Sequence, residues 1–423
     1  MEAIREVDRP GTLAIASDEP YPAYSRPLIA EYLAERCPLE RMLFRPSGFY
    51  ERNKVVTFLG QKAVRLDLDE HIVELESGEE IRWQKLLLAT GGSPIVPPIK
   101  GSGRRGVFTF TTLDDAKAID HYLGSQSRAV VIGGGLIGLS VTEALCRRGV
   151  AVTVIEMKER ILNVMLDEAA SAIEEELLRR AGIRIITGRT VAEISRGAED
   201  AVTSVTLDDG TPIPCELVIV AIGVRPRLEL VASTGIKINR GVIVDHYMAT
   251  SHPDVYASGD VAEAYDIAYG ECRLTPIWPN AYLGGRTAGF NMAGKMTKYP
   301  GGIAMNALNY FGLDAVSAGI VNPPDDSYEV LSQRYDSTYR KVILKKGQVV
   351  GLVFVGNIEK SGIICNLIRD KIRVADFKQA LVAEDFGLSL LPRERWQPHL
   401  EVPPSALVQA AETEPAEELV AGE

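Results

Sequence analysis

The sequence predicts an α/β protein with two Rossmann-like nucleotide-binding domains and a carboxyl-terminal α+β domain. Three observations carry that reading. A glycine fingerprint, Gly133-Gly134-Gly135-Leu136-Ile137-Gly138, lies in mid-chain between the apolar run Ala129-Val130-Val131-Ile132 and a helix-like stretch through Cys146. Units of this kind usually open a single-nucleotide enzyme, so the long segment before it must be another structure, and a second nucleotide-binding domain is the candidate. From Gly301 onward the pattern changes to short alternating strands.

The elements follow in order. Met1 to Val7 reads as the end of a helix, Asp8-Arg9-Pro10-Gly11 as a turn, and Thr12 to Ser17 as a buried strand closed by Asp18 and Glu19. This is the second half of a βαβ unit, with an acid where a ribose would be held. No strand or glycine loop precedes Met1, so this half is without a phosphate-binding turn. A helix near Leu28 to Glu35 and a strand pair within Lys62 to Leu75 come next. The strand Lys85 to Ala89 then runs into the small-residue turn Thr90-Gly91-Gly92-Ser93-Pro94.

The central unit spans roughly Thr111 to Gly223. Gly133 makes the tight turn, Gly135 lets a pyrophosphate approach the backbone, and Gly138 brings the helix against the sheet. The amides and positive dipole of the helix N-terminus face the phosphates. The strand Val152-Thr153-Val154-Ile155 ends in Glu156, placed to accept from the ribose hydroxyls of NAD. A helix over Asp167 to Ala181 and strands at 184–186, 202–207 and 217–221 complete the unit, which closes at Ile222-Gly223. Further strands at 242–244 and 255–257 lead to Gly259-Asp260. The last module has strands such as Tyr339 to Leu344 and Val349 to Val355, then helices near Ile358 to Asp370 and Val374 to Leu381.

Composition narrows the function classes. With 423 residues and 46% hydrophobic content, the chain can bury two or three cores. No apolar run approaches the roughly 18 residues of a membrane span, and the start has no signal pattern, so a cytoplasmic protein is expected. The formal charge of −11 includes six acids and no base in the tail 401–423, leaving −5 for the rest. No basic stripe interleaved with aromatics points to nucleic acid. The tail, rich in Glu, Pro and Ala, is expected to be disordered. The five cysteines are scattered, without metal-ligand or C-x-x-C spacing, and suit a reducing compartment better than a disulfide framework or zinc site. The five histidines are equally dispersed.

Four motifs in order, Tyr24-Ser25-Arg26-Pro27, Ala89-Thr90-Gly91, Gly133 to Gly138, and Thr250 through Tyr256-Ala257-Ser258-Gly259-Asp260, carry a resemblance. From Met1 to about Pro398 the chain resembles the FAD-dependent pyridine nucleotide-disulfide oxidoreductase superfamily, in its rubredoxin, ferredoxin and nitrite reductase branch without a redox disulfide. The resemblance implies an FAD-binding domain at 1–107 and 228–300, an NAD-binding domain at 108–227 and an interface domain at 301–400. It implies FAD contacts at Asp18 or Glu19, Arg26, Pro27, Val64, Ala89, Thr90, Gly91, Gly259, Asp260 and Trp278. NAD(H) contacts fall at Gly133, Gly135, Leu136, Ile137, Gly138, Glu156 and Gly223. Trp278 packs beside the flavin ring or in a core or domain junction, and the helix from Ala281 aims its N-terminus at the ring.

The activity implied is an FAD-dependent NADH:acceptor oxidoreductase serving a redox protein such as rubredoxin or ferredoxin. The alternatives are an electron-input subunit of a 2-oxoacid (phenylglyoxylate-type) dehydrogenase or nitrite reductase, or a flavin-deficient binding subunit. No cysteine follows the Tyr24 motif closely, and Cys37 reads as structural, so the flavin is the last redox group. Close relatives often pair a lysine where Glu31 stands with a glutamate where Ser140 stands, and both differ here. Arg334, Arg340, Lys341, Lys345 and Lys346 could form a basic docking face, although solvated strand faces and a Lys-Lys-Gly turn are the favoured reading. The absent first strand and glycine turn suggest a shortened start, with weakened FAD binding.

Overall fold

In the computed structural model, residues 1–124 and 128–392 are described. The acidic tail and the last residues of the expected interface domain therefore lie outside the described residues. The fold class agrees with the sequence reading, as two α/β halves followed by an α+β module.

The central half is built on a five-stranded parallel sheet. Its spatial order is Arg184–Thr187, Ala151–Glu156, Arg128–Ile132, Leu217–Val220 and Val107–Thr109. The middle strands are nearly all apolar because both faces are covered. In Arg128–Ile132 the side chains alternate between two cores. Ala129 and Val131 join the layer under the helix Leu136–Arg147, whereas Val130 and Ile132 meet a small antiparallel sheet that supplies Val191, Ile194 and Val205. The helix Glu168–Arg180 is capped by Asp167, whose side chain accepts from the Ala170 N–H.

The amino-terminal half is discontinuous. Leu13–Ser17 pairs with Val55–Leu59, and Leu86–Leu88 pairs with Val255–Ala257, each in parallel. These are two separate two-stranded sheets rather than one. Leu13–Ser17 was expected to be buried, but its residues alternate between half-buried and exposed. A single neighbour on one side leaves half of its backbone and alternate side chains uncovered. The helix Trp278–Met292 runs behind these pairs and packs on the helix Glu2–Val7. A Cβ at Gly289 would stand 3.1 Å from that of Ala3, so a glycine keeps the two helices close.

The two halves are joined by a ribbon in which Gly92–Pro94 and Val224–Pro226 pair antiparallel. The carboxyl-terminal module is a five-stranded antiparallel sheet ordered Met305–Tyr310, Leu313–Gly319, Gln348–Val355, Thr338–Lys345 and Tyr328–Tyr335. Its central strands do not show the expected alternation of buried and exposed residues. Val342, Leu344 and Phe354 pack under the helix Ser361–Arg369, while Tyr339, Val353 and Val355 pack toward the central half, so both faces are buried. The helix expected over Val374 to Leu381 is replaced by a 3₁₀ turn at Lys378–Val382. The Val374 N–H donates to Gly347 O, which pins the segment to a hairpin turn instead.

Candidate functional site

The glycine turn has the geometry that phosphate binding needs. Gly133 has φ +112°, and a Cβ there would fall 2.3 Å from Ala221 O, so only glycine fits. A Cβ on Gly138 would lie 1.9 Å from Gly133 O, which fixes the close approach of helix to strand. Above Gly135 the space is open, with nothing within 4 Å of the Cβ position. Gly135 is also the N-cap of the helix Leu136–Arg147, and no side chain caps it. Leu136 and Ile137 form the first turn, whose unpaired N–H groups make an anion site. The Glu156 carboxylate stands beside this turn, accepting from Gly134 N–H at 2.7 Å and Lys158 N–H at 2.8 Å. Gly223, at φ +120°, follows the neighbouring strand Leu217–Val220 and bonds through its carbonyl to Ile95 N–H. These residues fit a dinucleotide.

The amino-terminal half gathers a second group of residues. Gly259 has φ +79° and is followed by Asp260, whose burial raises its carboxyl above the usual range against the opposing pull of Arg26. The N-terminus of the helix Trp278–Met292 also lacks a side-chain cap. The Gly259 Cβ position is 3.7 Å from Ala281 in this helix, so turn and helix are adjacent. Across the junction, Thr90 donates to Arg227 O, the Gly91 carbonyl accepts from Arg227 N–H, and Arg227 reaches Ser93 at 3.0 Å and Asp18 at 2.6 Å. Ala89 leads into this turn directly from the strand Leu86–Leu88. Glu19 is nearly buried and accepts from Tyr24 and Arg26, while Arg26 also donates to Thr111 O at 3.0 Å. Pro27 sits in the 3₁₀ turn Arg26–Leu28.

The family pattern of the pyridine nucleotide-disulphide oxidoreductases matches residues 3–300, and that of the rubredoxin NAD+ reductase C-terminal domain matches residues 305–372. The chain belongs to the pyridine nucleotide-disulphide oxidoreductase family. Members of this family bind FAD and NAD(H). The chain is 31% identical to the epsilon subunit of NADH-dependent phenylglyoxylate dehydrogenase from Aromatoleum evansii, over 92% of each chain. It is 29% identical to the nitrite reductase [NAD(P)H] of Bacillus subtilis over 90% of its own length, but spans only 45% of that protein. A ferredoxin reductase of Rhodopseudomonas palustris superposes with a TM-score of 0.83 at 25% identity, covering 92% of this chain and 95% of the other.

For FAD, the described residues of this family member fit one end of the cofactor. Gly259, Asp260 and the Trp278 helix N-terminus offer a turn, a carboxylate and a dipole. Among the described residues of the amino-terminal half, no second glycine turn like that at Gly133 joins a strand to a helix. Asp18 and Glu19, expected to hold a ribose, are both engaged by arginines. Val64 lies at a register shift in the strand Ala63–Asp67 and is 49% exposed.

Several expectations are corrected. Trp278 is in neither a core nor a tight junction: it is 54% exposed and stacked between Phe44 and Tyr282 at centroid distances of 5.7 and 5.8 Å. At the two positions where relatives often carry a charged pair, each residue finds its own partner, and no pair forms. Glu31 pairs with Arg36 at 3.4 Å, and Ser140 meets the Tyr310 hydroxyl at 3.0 Å. The basic docking face does not form as such, because Arg340 and Lys341 are buried. Arg340 lies over the Phe354 ring and donates to Ala383 O, and Lys341 pairs with Asp167 at 2.9 Å. Arg227 was missed. Its position just after the Gly223 turn, in Arg225-Pro226-Arg227, was the available signal.

Proposed function

We propose that this chain is an NADH-oxidising flavoprotein reductase that hands electrons to a protein acceptor. The observation that carries the reading is the uncapped Gly135 turn beside the Glu156 carboxylate, within a family of NAD(P)H-dependent flavoprotein oxidoreductases. Glu156 selects NADH, since its carboxylate accepts from a ribose 2′-hydroxyl and repels a 2′-phosphate. Gly133, Gly135, Leu136, Ile137 and Gly138 form the pyrophosphate seat, and Gly223 lines the cleft beside it. FAD, when bound, supplies the hydride-accepting and electron-releasing chemistry. The roles of the chain's own residues are positional: Asp260 and Gly259 hold the ribityl end, and Thr90 and Gly91 shape the junction. The helix Trp278–Met292 directs its positive end at developing negative charge.

The acceptor is a redox protein or a partner subunit. Similarity to the epsilon subunit of the phenylglyoxylate dehydrogenase over 92% of that subunit supports the second form, an electron-input subunit. A cytoplasmic setting is supported by five free cysteines, two of them buried singly. Steady-state reduction of ferricyanide with each nucleotide tests the reading. NADH should exceed NADPH in kcat/KM by at least about tenfold, and Glu156→Ala should narrow the gap. Equal or better turnover with NADPH would overturn the assignment of Glu156.

A further inference from the structure

The loop 157–167, which leaves the ribose-side Glu156, is tied at both ends. At the dinucleotide end, Leu162 N–H donates to Gly134 O at 2.8 Å, directly at the glycine turn. Leu162 is buried and has φ +51°, a left-handed conformation that a non-glycine residue holds only when its surroundings fix it. At the other end the loop is gripped by the carboxyl-terminal sheet. Asn322 donates to Asn163 O at 3.1 Å and accepts from Arg160 at 3.3 Å. Asp167 accepts from the Tyr339 hydroxyl at 2.7 Å and from Lys341 at 2.9 Å, while its other oxygen caps the helix Glu168–Arg180. Lys341 also donates to Val321 O at 3.1 Å, so its ammonium is held from two sides.

We infer that the carboxyl-terminal sheet sets the affinity for NADH, with Lys341, Tyr339 and Asn322 acting as positioning residues through the loop 157–167. This rests on the proposed placement of NADH at the Gly133 turn. The logic is mechanical. The carbonyl of Gly134 is oriented by Leu162, the Gly134 N–H is bonded to Glu156, and on the side facing the carboxyl-terminal sheet the loop that presents Leu162 is anchored through Asp167 and Asn163. Releasing the anchor lets the strained Leu162 relax, and Gly134 then loses one of its two hydrogen bonds. Coupling free energies between sites correspond to changes of about 5- to 150-fold in affinity, and they act in both directions. NADH should therefore tighten the sheet contact in return.

The test uses the full chain and direct NADH binding, followed by nucleotide fluorescence, together with amide hydrogen exchange. Lys341→Met should raise the NADH Kd roughly tenfold, and Tyr339→Phe, which removes the hydrogen bond to Asp167, should raise it about five-fold, both effects lying within that coupling range. Lys341→Arg should restore most of the affinity. Exchange across 158–165 should accelerate in the weakened variants, and NADH should slow exchange in Thr338–Lys345 of the unaltered protein. Val342→Ala supplies the control, since Val342 is buried under the other face of the same strand and should lower stability without moving the Kd. Equal Kd values for Tyr339→Phe and the unaltered chain, or an equal loss in Val342→Ala, would overturn the inference. If the unaltered chain itself fails to bind NADH, the proposed function falls, and this inference with it.

Discussion

The two α/β halves of this chain are built from similar strands but differ in what they can hold. The central half closes five parallel strands into one sheet and ends the strand Arg128–Ile132 in a glycine turn with open space above Gly135. In the amino-terminal half the strands are divided among separate sheets of two or three, and its carboxylates Asp18 and Glu19 are tied up by Arg227 and Arg26. The comparison teaches where grip comes from. A carboxylate at a strand end adds selectivity, whereas the affinity for a pyrophosphate comes from a row of amides at a helix N-terminus, and that row must be built by a turn between strand and helix.

The largest effect that could break this contrast concerns flavin retention. If the Gly259–Asp260 turn holds the ribityl end, Asp260→Ala removes a charge-assisted hydrogen bond worth about 1.5–3 kcal/mol and should weaken FAD binding roughly 10- to 150-fold. Flavin content after gel filtration, compared with that of the unaltered chain, measures this. Equal flavin content in the two proteins would show that the Gly259 turn contributes no grip.

Two glycines sharpen the comparison within the closed half. Gly138→Ala forces a Cβ against Gly133 O and should cost about 2–4 kcal/mol of stability, read as a lower unfolding midpoint. Gly135→Ala adds a methyl group to open space at φ −84°, so stability should hold while the NADH Kd rises at least about tenfold. If Gly135→Ala left NADH binding untouched, the pyrophosphate would have to sit elsewhere.

A smaller effect lies between the closed half and the carboxyl-terminal sheet. Glu174 is fully buried and its carboxylate has no hydrogen-bond partner among the described residues. Burial, with repulsion from Glu143, pushes its pKa up to about 8. Between the unfolded value and that pKa the folded state holds a proton that the unfolded state does not, so stability should fall as pH rises from about 5 to 8. Glu174→Gln should match the parent near pH 5 and melt higher near pH 8, by about 2–4 °C per kcal/mol recovered. Thermal scans at both pH values decide it, and a gap that shrinks with pH would contradict the burial argument.

The smallest expected effect is that of the thiols. Burial pushes Cys146 and Cys365 up to about 11 and Cys215 up to about 12, so none of these is a thiolate at neutral pH. Cys37, half-buried beside Pro38, should be replaceable by Ser without loss of ferricyanide reduction. Loss of turnover in a folded Cys37→Ser protein would restore a role for sulfur.

What the sequence made legible was local. The Gly133 turn, the strand before it and Glu156 fall within one short stretch, and each glycine has a steric reason visible in the pattern itself. Contacts between distant segments were not legible. Arg340 and Lys341 read as surface charges because such residues are rarely buried without partners, and those partners, Ala383 and Asp167, come from other parts of the fold. For Trp278 only the alternative of a core position is excluded, because its neighbours Phe44 and Tyr282 meet it at the surface. The segment after Val374 has helical apolar spacing, but a backbone bond to the Gly347 hairpin prevails over that preference.

The antiparallel ribbon of Gly92–Pro94 and Val224–Pro226 carries both passages of the chain between the halves. Strands bonded side by side cannot twist independently, and Pro94 and Pro226 each lock one backbone torsion within it. The connection thus behaves like a double strut rather than a single thread: a twist of one half relative to the other must bend both passages together.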